Sequence, residues 1–99
     1  MNELLTLIKQ TYEGGILTQI RRTVFCGLRS IGQAEFYQAN AADFHPEVKF
    51  VLADYLDYSG ETMADHNGQR YKILRTYRTG QELELIAERA PIEDGGIYG

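Results

Sequence analysis

Apolar and polar positions alternate in short runs along this chain, and glycine-bearing turns separate the runs. Leu4-Leu5-Thr6-Leu7-Ile8 is apolar and contains Thr, which favours a strand. Glu13-Gly14-Gly15 breaks it, because two glycines supply the positive φ of a turn. Ile20 to Leu28, through Thr23-Val24-Phe25-Cys26-Gly27, is rich in β-branched and aromatic residues. It predicts an antiparallel partner for the first run across a longish connection. Glu47 to Tyr58 is the longest β signal, with Val48, Phe50, Leu52, Leu56 and Tyr58 on one parity and Lys49, Val51, Tyr55 and Asp57 on the other. After a turn at Ser59-Gly60, Asn67-Gly68 carries the signature of a type I′ hairpin linking Glu61–His66 to Gln69–Arg78. Thr79-Gly80 turns the chain again into Glu82–Glu88, where Leu83, Leu85 and Ala87 alternate with glutamates and face inward. Short strands with tight turns in one small domain predict a mainly β fold. The expected form is a small antiparallel β-barrel of about six strands, since closure removes aggregation-prone edges.

Between the second and third strands, Ser30 and Gln33 have the spacing of a capping box. Ala34, Glu35, Gln38, Ala39, Ala41 and Ala42 favour helix, and Pro46 stops it. The spacing predicts a short helix over 31–42, but Ile31, Phe36 and Tyr37 do not form a clean apolar stripe, which leaves helix or loop open. The domain is expected over 1–89, with this insert at about 30–47. The tail over 90–99 holds a Pro and three glycines and is expected to be mobile, since ordering it costs entropy with little to bury.

Ninety-nine residues make one domain, and 43% apolar content with seven tyrosines suits a folded one. The apolar runs are far shorter than the roughly 20 residues of a spanning helix, and no secretory signal is expected at the start. A net charge of −4 argues against tight general binding to nucleic acid, which Lys and Arg drive. The single Cys26 excludes an internal disulfide and reads as a small buried hydrophobe without a base to activate it.

Candidate chemistry is sparse. His45 and His66 lie 21 residues apart, outside any metal or triad spacing, and read as exposed turn residues. Asp54 and Asp57 fall on opposite parities of the expected strand and cannot form an acid/base pair. No catalysis, metal or cofactor is expected. Glu82, Glu84 and Glu88 read as a solvated strand face or an acidic interface rim. Arg70, Lys72, Leu74, Thr76 and Arg78 share one strand parity; Tyr71, Ile73, Arg75 and Tyr77 share the other. Three readings follow. Arg70, Lys72 and Arg78 pair across the hairpin with Glu82, Glu84 and Glu61. Alternatively, Arg70, Lys72, Arg75, Arg78, Glu82 and Glu84 form a subunit interface. In the third, Arg70, Tyr71, Lys72, Arg75 and Tyr77 bind nucleic acid by stacking and phosphate contact, as a small β-barrel module. The strongest candidate for function is the insert, because long inserts on rigid scaffolds often carry it. There Gln33, Gln38 and Asn40 offer neutral hydrogen-bonding groups, Phe36, Tyr37 and Phe44 offer apolar area, and Glu35, Asp43 and His45 add charge or polarity.

The order R-S-I-G-Q-A-E-F-Y-Q-A, P-E-V-K-F-V-L, N-G-Q-R-Y-K-I-L-R-T-Y and G-Q-E-L-E-L resembles the head closure proteins of long-tailed phages and prophages, also called head–tail connectors, adaptors or stoppers. The resemblance covers roughly residues 3–89. It implies a small β-barrel and a structural virion protein rather than an enzyme, at the head–tail interface after assembly in the host cytoplasm. It further implies a dodecameric ring beneath the portal and its adaptor, with tail proteins on the other side. Packaged double-stranded DNA would occupy the channel, and the loop at about Ser30–Glu47 would project towards it.

Overall fold

Six antiparallel strands account for most of the chain in a computed structural model, which describes residues 2–32 and 46–90. They are β1 (Glu3–Glu13), β2 (Ile16–Arg29), β3 (Val48–Leu52), β4 (Met63–His66), β5 (Gln69–Thr79) and β6 (Glu82–Arg89). Neighbours run β1-β2-β3-β6-β5-β4, and β4 closes back on β1, so the expected six-stranded barrel is what forms. Closure is narrow at that seam, where only Thr6, Leu7 and Ile8 pair with Asp65, Ala64 and Met63.

The inward positions are those the alternation picked out. Leu83, Leu85 and Ala87 of β6 meet Leu5, Leu7, Cys26, Phe50, Leu52 and Ala64 in one buried cluster. Burying a side chain such as Leu7 or Leu85 stabilises the fold by about 2 kcal/mol. Phe50 holds the middle, with its ring edge-on to His66 at 5.3 Å and to Tyr71 at 5.2 Å. Cys26 is fully buried there, and burial raises its thiol pKa to about 11.

Three features differ from the sequence expectation. The connection between the first two strands is itself strand: β1 and β2 pair continuously from Glu3↔Cys26 to Glu13↔Ile16. Gly14 and Gly15, at φ 60° and 81°, then suffice as a two-residue turn. Thr11, Tyr12, Ile16, Leu17 and Thr18 are all strand formers, which is why the ladder runs on.

The long β run after Glu47 ends at Leu52. There Asp54 accepts from the Leu56 amide at 2.9 Å and starts a one-turn 3-10 helix over Tyr55–Asp57. A local side-chain bond has outcompeted the ladder. Asp54 and Asp57 therefore do not sit on strand faces at all.

In β5 the register against β6 slips between Ile73 and Arg75, leaving Leu74 as an extra residue. Tyr71 and Ile73 pack against the core. Beyond the bulge it is Thr76 and Arg78 that lie opposite the inward Leu85 and Leu83, while Tyr77 lies opposite Glu84. The single parity expected for Tyr71, Ile73, Arg75 and Tyr77 is thus broken.

Candidate functional surface

The register sends the chain out of the barrel at two opposite ends. Arg29 closing β2, Val48 opening β3, the Asn67-Gly68 turn and Arg89 share one end. The insert departs and returns there. The Gly14-Gly15 turn and the 79–82 turn of the β5–β6 hairpin lie at the other.

Both stems of the insert are fastened to β6. Arg29 donates to Glu84 at 2.8 Å and to Glu82 at 3.1 Å, and Lys49 stands 3.6 Å from Glu84. Two carboxylates on one guanidinium hold its pKa above the ordinary value. On the return side, Glu47 accepts from the Arg89 side chain at 2.6 Å and from its amide at 3.2 Å. The Glu47 amide donates to the Ala87 carbonyl at 2.8 Å. Pro46, just before it, is buried. These pairs are partly exposed, so their value lies in positioning more than in stability. They set the span that the insert must bridge.

The insert residues singled out above, Gln33, Glu35, Phe36, Tyr37, Gln38, Asn40, Asp43, Phe44 and His45, lie outside the described residues, as does nearly all of the expected helix over 31–42. Ile31 and Gly32 carry no regular structure. The tail from 91 on also lies outside them.

Arg70, Arg78 and the glutamates of the first reading have other partners. Among the described residues, Glu82 and Glu84 serve Arg29 and Lys49, and Glu61 serves Arg22. Arg70 bonds Asp65, whose other bond is to Arg21 at 2.9 Å. Burial opposes ionisation of Asp65, but these two guanidiniums outweigh it and hold the carboxyl below its usual range. Lys72 lies opposite Met63 and Glu88. Arg78 reaches over the Tyr55 ring, 3.5 Å from its centroid, and donates to the Gly80 carbonyl. Arg75 and Tyr77 are exposed. Of the aromatic and basic strip proposed for nucleic acid, Tyr71 is half-buried with its ring against Phe50.

At the opposite end, Glu61 is a buried carboxylate whose partners cap the barrel. Arg22 donates to it at 2.9 and 3.2 Å and the Ser59 amide at 2.7 Å, while Tyr58 donates to the Glu61 carbonyl at 2.5 Å. Burial pushes its pKa up, but the Ser59 amide and Arg22 outweigh that and leave it lowered. His66 is buried rather than an exposed turn residue, with Nε2 2.9 Å from Glu3 Oε1. Its edge contact with Phe50 shows why: at the last position of β4 it faces inward. Among the described residues, no three His, Cys, Asp or Glu side chains are grouped to hold a metal ion, and no helix is long and apolar enough to cross a membrane.

Sequence reasoning missed Arg29, Glu47, Arg89 and Lys49. The signal that finds them is the charge order at the insert's ends: basic Arg29 before it, acidic Glu47 after it, and β6 carrying Glu82, Glu84 and Arg89 in reverse order. Pairing β3 against β6 brings those opposites together. No protein-family model matches this chain, and no curated protein is similar to it.

Proposed function

We propose that this chain is a non-enzymatic structural protein of a long-tailed phage or prophage, joining head to tail and closing the portal channel over packaged DNA. Copies form a ring, dodecameric by the resemblance, between portal or adaptor and tail proteins. The observation that carries the reading is a closed barrel whose β2–β3 insert is clamped at both stems to β6 by Arg29–Glu82/Glu84 and Glu47–Arg89. A rigid frame of this kind supports an insert that acts on something outside the barrel. The resemblance over residues 3–89 supplies what that is: the channel and its DNA. An acidic chain also suits a conduit that must not grip phosphate. The nucleic-acid module is the weaker alternative, since Tyr71 is occupied by the core and Arg70 by Asp65.

The test adds purified protein to DNA-filled, tail-less heads and images them by negative stain. Rings at one vertex with DNA retained are expected. A chain shortened across Gln33–Asp43 is expected to dock yet let the DNA escape. Absence of docking, together with salt-steep binding to free DNA, overturns the reading in favour of the nucleic-acid module.

A further inference from the structure

β1 and β2 outrun the barrel. β4 pairs with β1 only as far as Ile8, and β3 pairs with β2 only from Gly27. Lys9–Glu13 and Ile16–Ile20 therefore form a two-stranded arm whose outer edges have no partner strand among the described residues. Five residues beyond the seam extend it by about 17 Å.

This arm is unlike an ordinary solvated hairpin. Tyr12 is 74% exposed, Ile16 69%, Leu17 50% and Ile20 49%. Residues 10–20 contain one charge, Glu13, in a chain that is 24% charged. Natural proteins blunt exposed edges with charge, Pro or a bulge; this arm has no Pro and no bulge, and its β2 edge over Ile16–Ile20 has no charge. Depletion of charge around aromatic and aliphatic side chains marks the core of an interface.

A second apolar site lies on the same two strands, on the face that Tyr12 and Leu17 share. Leu4 and Phe25 are cross-strand partners there, 57% and 65% exposed. Beside them the Thr6 and Thr23 hydroxyls bond each other at 3.1 Å, so their polar atoms are already engaged. The chain thus carries a projecting apolar element and a separate uncharged strip, the two halves of a head-to-tail contact. Such contacts close into rings when the rotation permits.

We infer that the arm of one copy, led by Tyr12 and Leu17, seats on the Leu4/Phe25 strip of the next copy. The inference deepens the self-association proposed above and rests on it. At roughly 200 Å² per fully exposed large side chain, Tyr12 and Leu17 of the arm with Leu4 and Phe25 of the strip supply about 500 Å² of apolar area per contact. A standard interface of ~1,600 Å² contains about 900 Å². Backbone groups along the β2 edge from Ile16 to Cys26, which has no partner strand among the described residues, add main-chain bonding to this area.

Leu17→Lys removes the arm, and Phe25→Lys removes the strip; both sites are exposed, and a lysine suits a strand edge. Wild-type protein is expected to self-associate with rising concentration in native mass spectrometry and light scattering. Each variant alone should remain monomeric while keeping the wild-type melting profile. Mixed together they should form a one-to-one dimer and nothing larger, because only one arm and one strip survive between them. If wild type associates and Leu17→Lys associates equally well, the arm assignment is wrong while self-association stands. Wild type that stays monomeric up to about 1 mM, where even a millimolar contact is half-formed, overturns both. Amide exchange on wild type gives a second readout that needs no variant. Slowing confined to 16–20 and 23–26 on concentration is expected, and uniform exchange there counts against the contact. Docking to heads is scored separately, so a failed head–tail reading is not mistaken for a failed arm.

Discussion

Phe50, Glu61 and Cys26 show how much of this fold depends on single side chains. Phe50 touches both His66 and Tyr71 edge-on from the centre of the cluster. Phe50→Ala is expected to cost about 3–5 kcal/mol, a large part of the 5–15 kcal/mol that holds a small domain together. A urea titration reads the cost as a drop in midpoint at unchanged slope.

Glu61 and Asp65 act through pH. Their carboxyl pKa values are lower folded than unfolded. Their stabilising effect is therefore fully present above the ordinary carboxylate range and is lost as pH falls through and below it. The melting temperature is expected to fall between about pH 5 and pH 3, and Glu61→Gln should flatten part of that slope. A variant with the wild-type acid slope rules Glu61 out as a contributor. Cys26, buried and with its thiol pKa raised to about 11, should resist thiol reagents at pH 8 until the barrel unfolds. These residue roles were unevenly legible. Alternation marked Leu83, Leu85 and Ala87 as inward, and apolar neighbours marked Cys26 as packing. Nothing near His66 in sequence reveals Glu3, because that partner arrives from a strand 63 residues away.

Among the elements, the Asn67-Gly68 turn and the Leu74 bulge fix the β4–β5–β6 half of the barrel. Asn67 and Gly68 adopt φ of 51° and 79°, and open space surrounds the Gly68 Cα. Gly68→Ala therefore meets no clash, and its cost of about 1–2 kcal/mol comes from the left-handed backbone alone. A matching fall in unfolding free energy with unchanged secondary structure checks this. The hairpin was legible because its turn chemistry is local. The bulge was not: only the inward Leu83 and Leu85 across the ladder oblige β5 to absorb an extra residue, and no spacing within Gln69–Thr79 announces it. The overextended third strand failed for a related reason. Phe50, Leu52, Leu56 and Tyr58 keep strand parity by coincidence, while the Asp54 cap, also bonded by Gln81, ends the strand first. Most of the ladder could be read from alternation and glycine placement. The insert's clamps could not, because they depend on which distant strands become neighbours.

Seen whole, the barrel has two ends of different build. The insert stems, fastened to β6, mark one; the arm, short of charge and, among the described residues, of partner strands, marks the other. The interior cluster draws Leu5, Leu7, Cys26, Phe50, Leu52, Ala64, Leu83, Leu85 and Ala87 from the strands themselves. The seam that closes the barrel is made by Thr6–Ile8 with Met63–Asp65. Replacing 33–43 with a short Gly/Ser linker keeps all of these strand residues and shortens a loop whose closure cost varies only slowly with length. The expected outcome is a single cooperative transition within a few degrees of wild type, alongside loss of DNA retention in filled heads. Breaking the clamp by Arg29→Ala with Glu47→Ala leaves the insert's sequence intact but frees its stems. That variant should also keep the barrel, since exposed ion pairs contribute about 0–1 kcal/mol each, while retention falls because the insert is no longer aimed. A melting point that collapses in either variant assigns the insert to the folding core instead, and retention unchanged in the clamp variant shows that the insert needs no rigid frame.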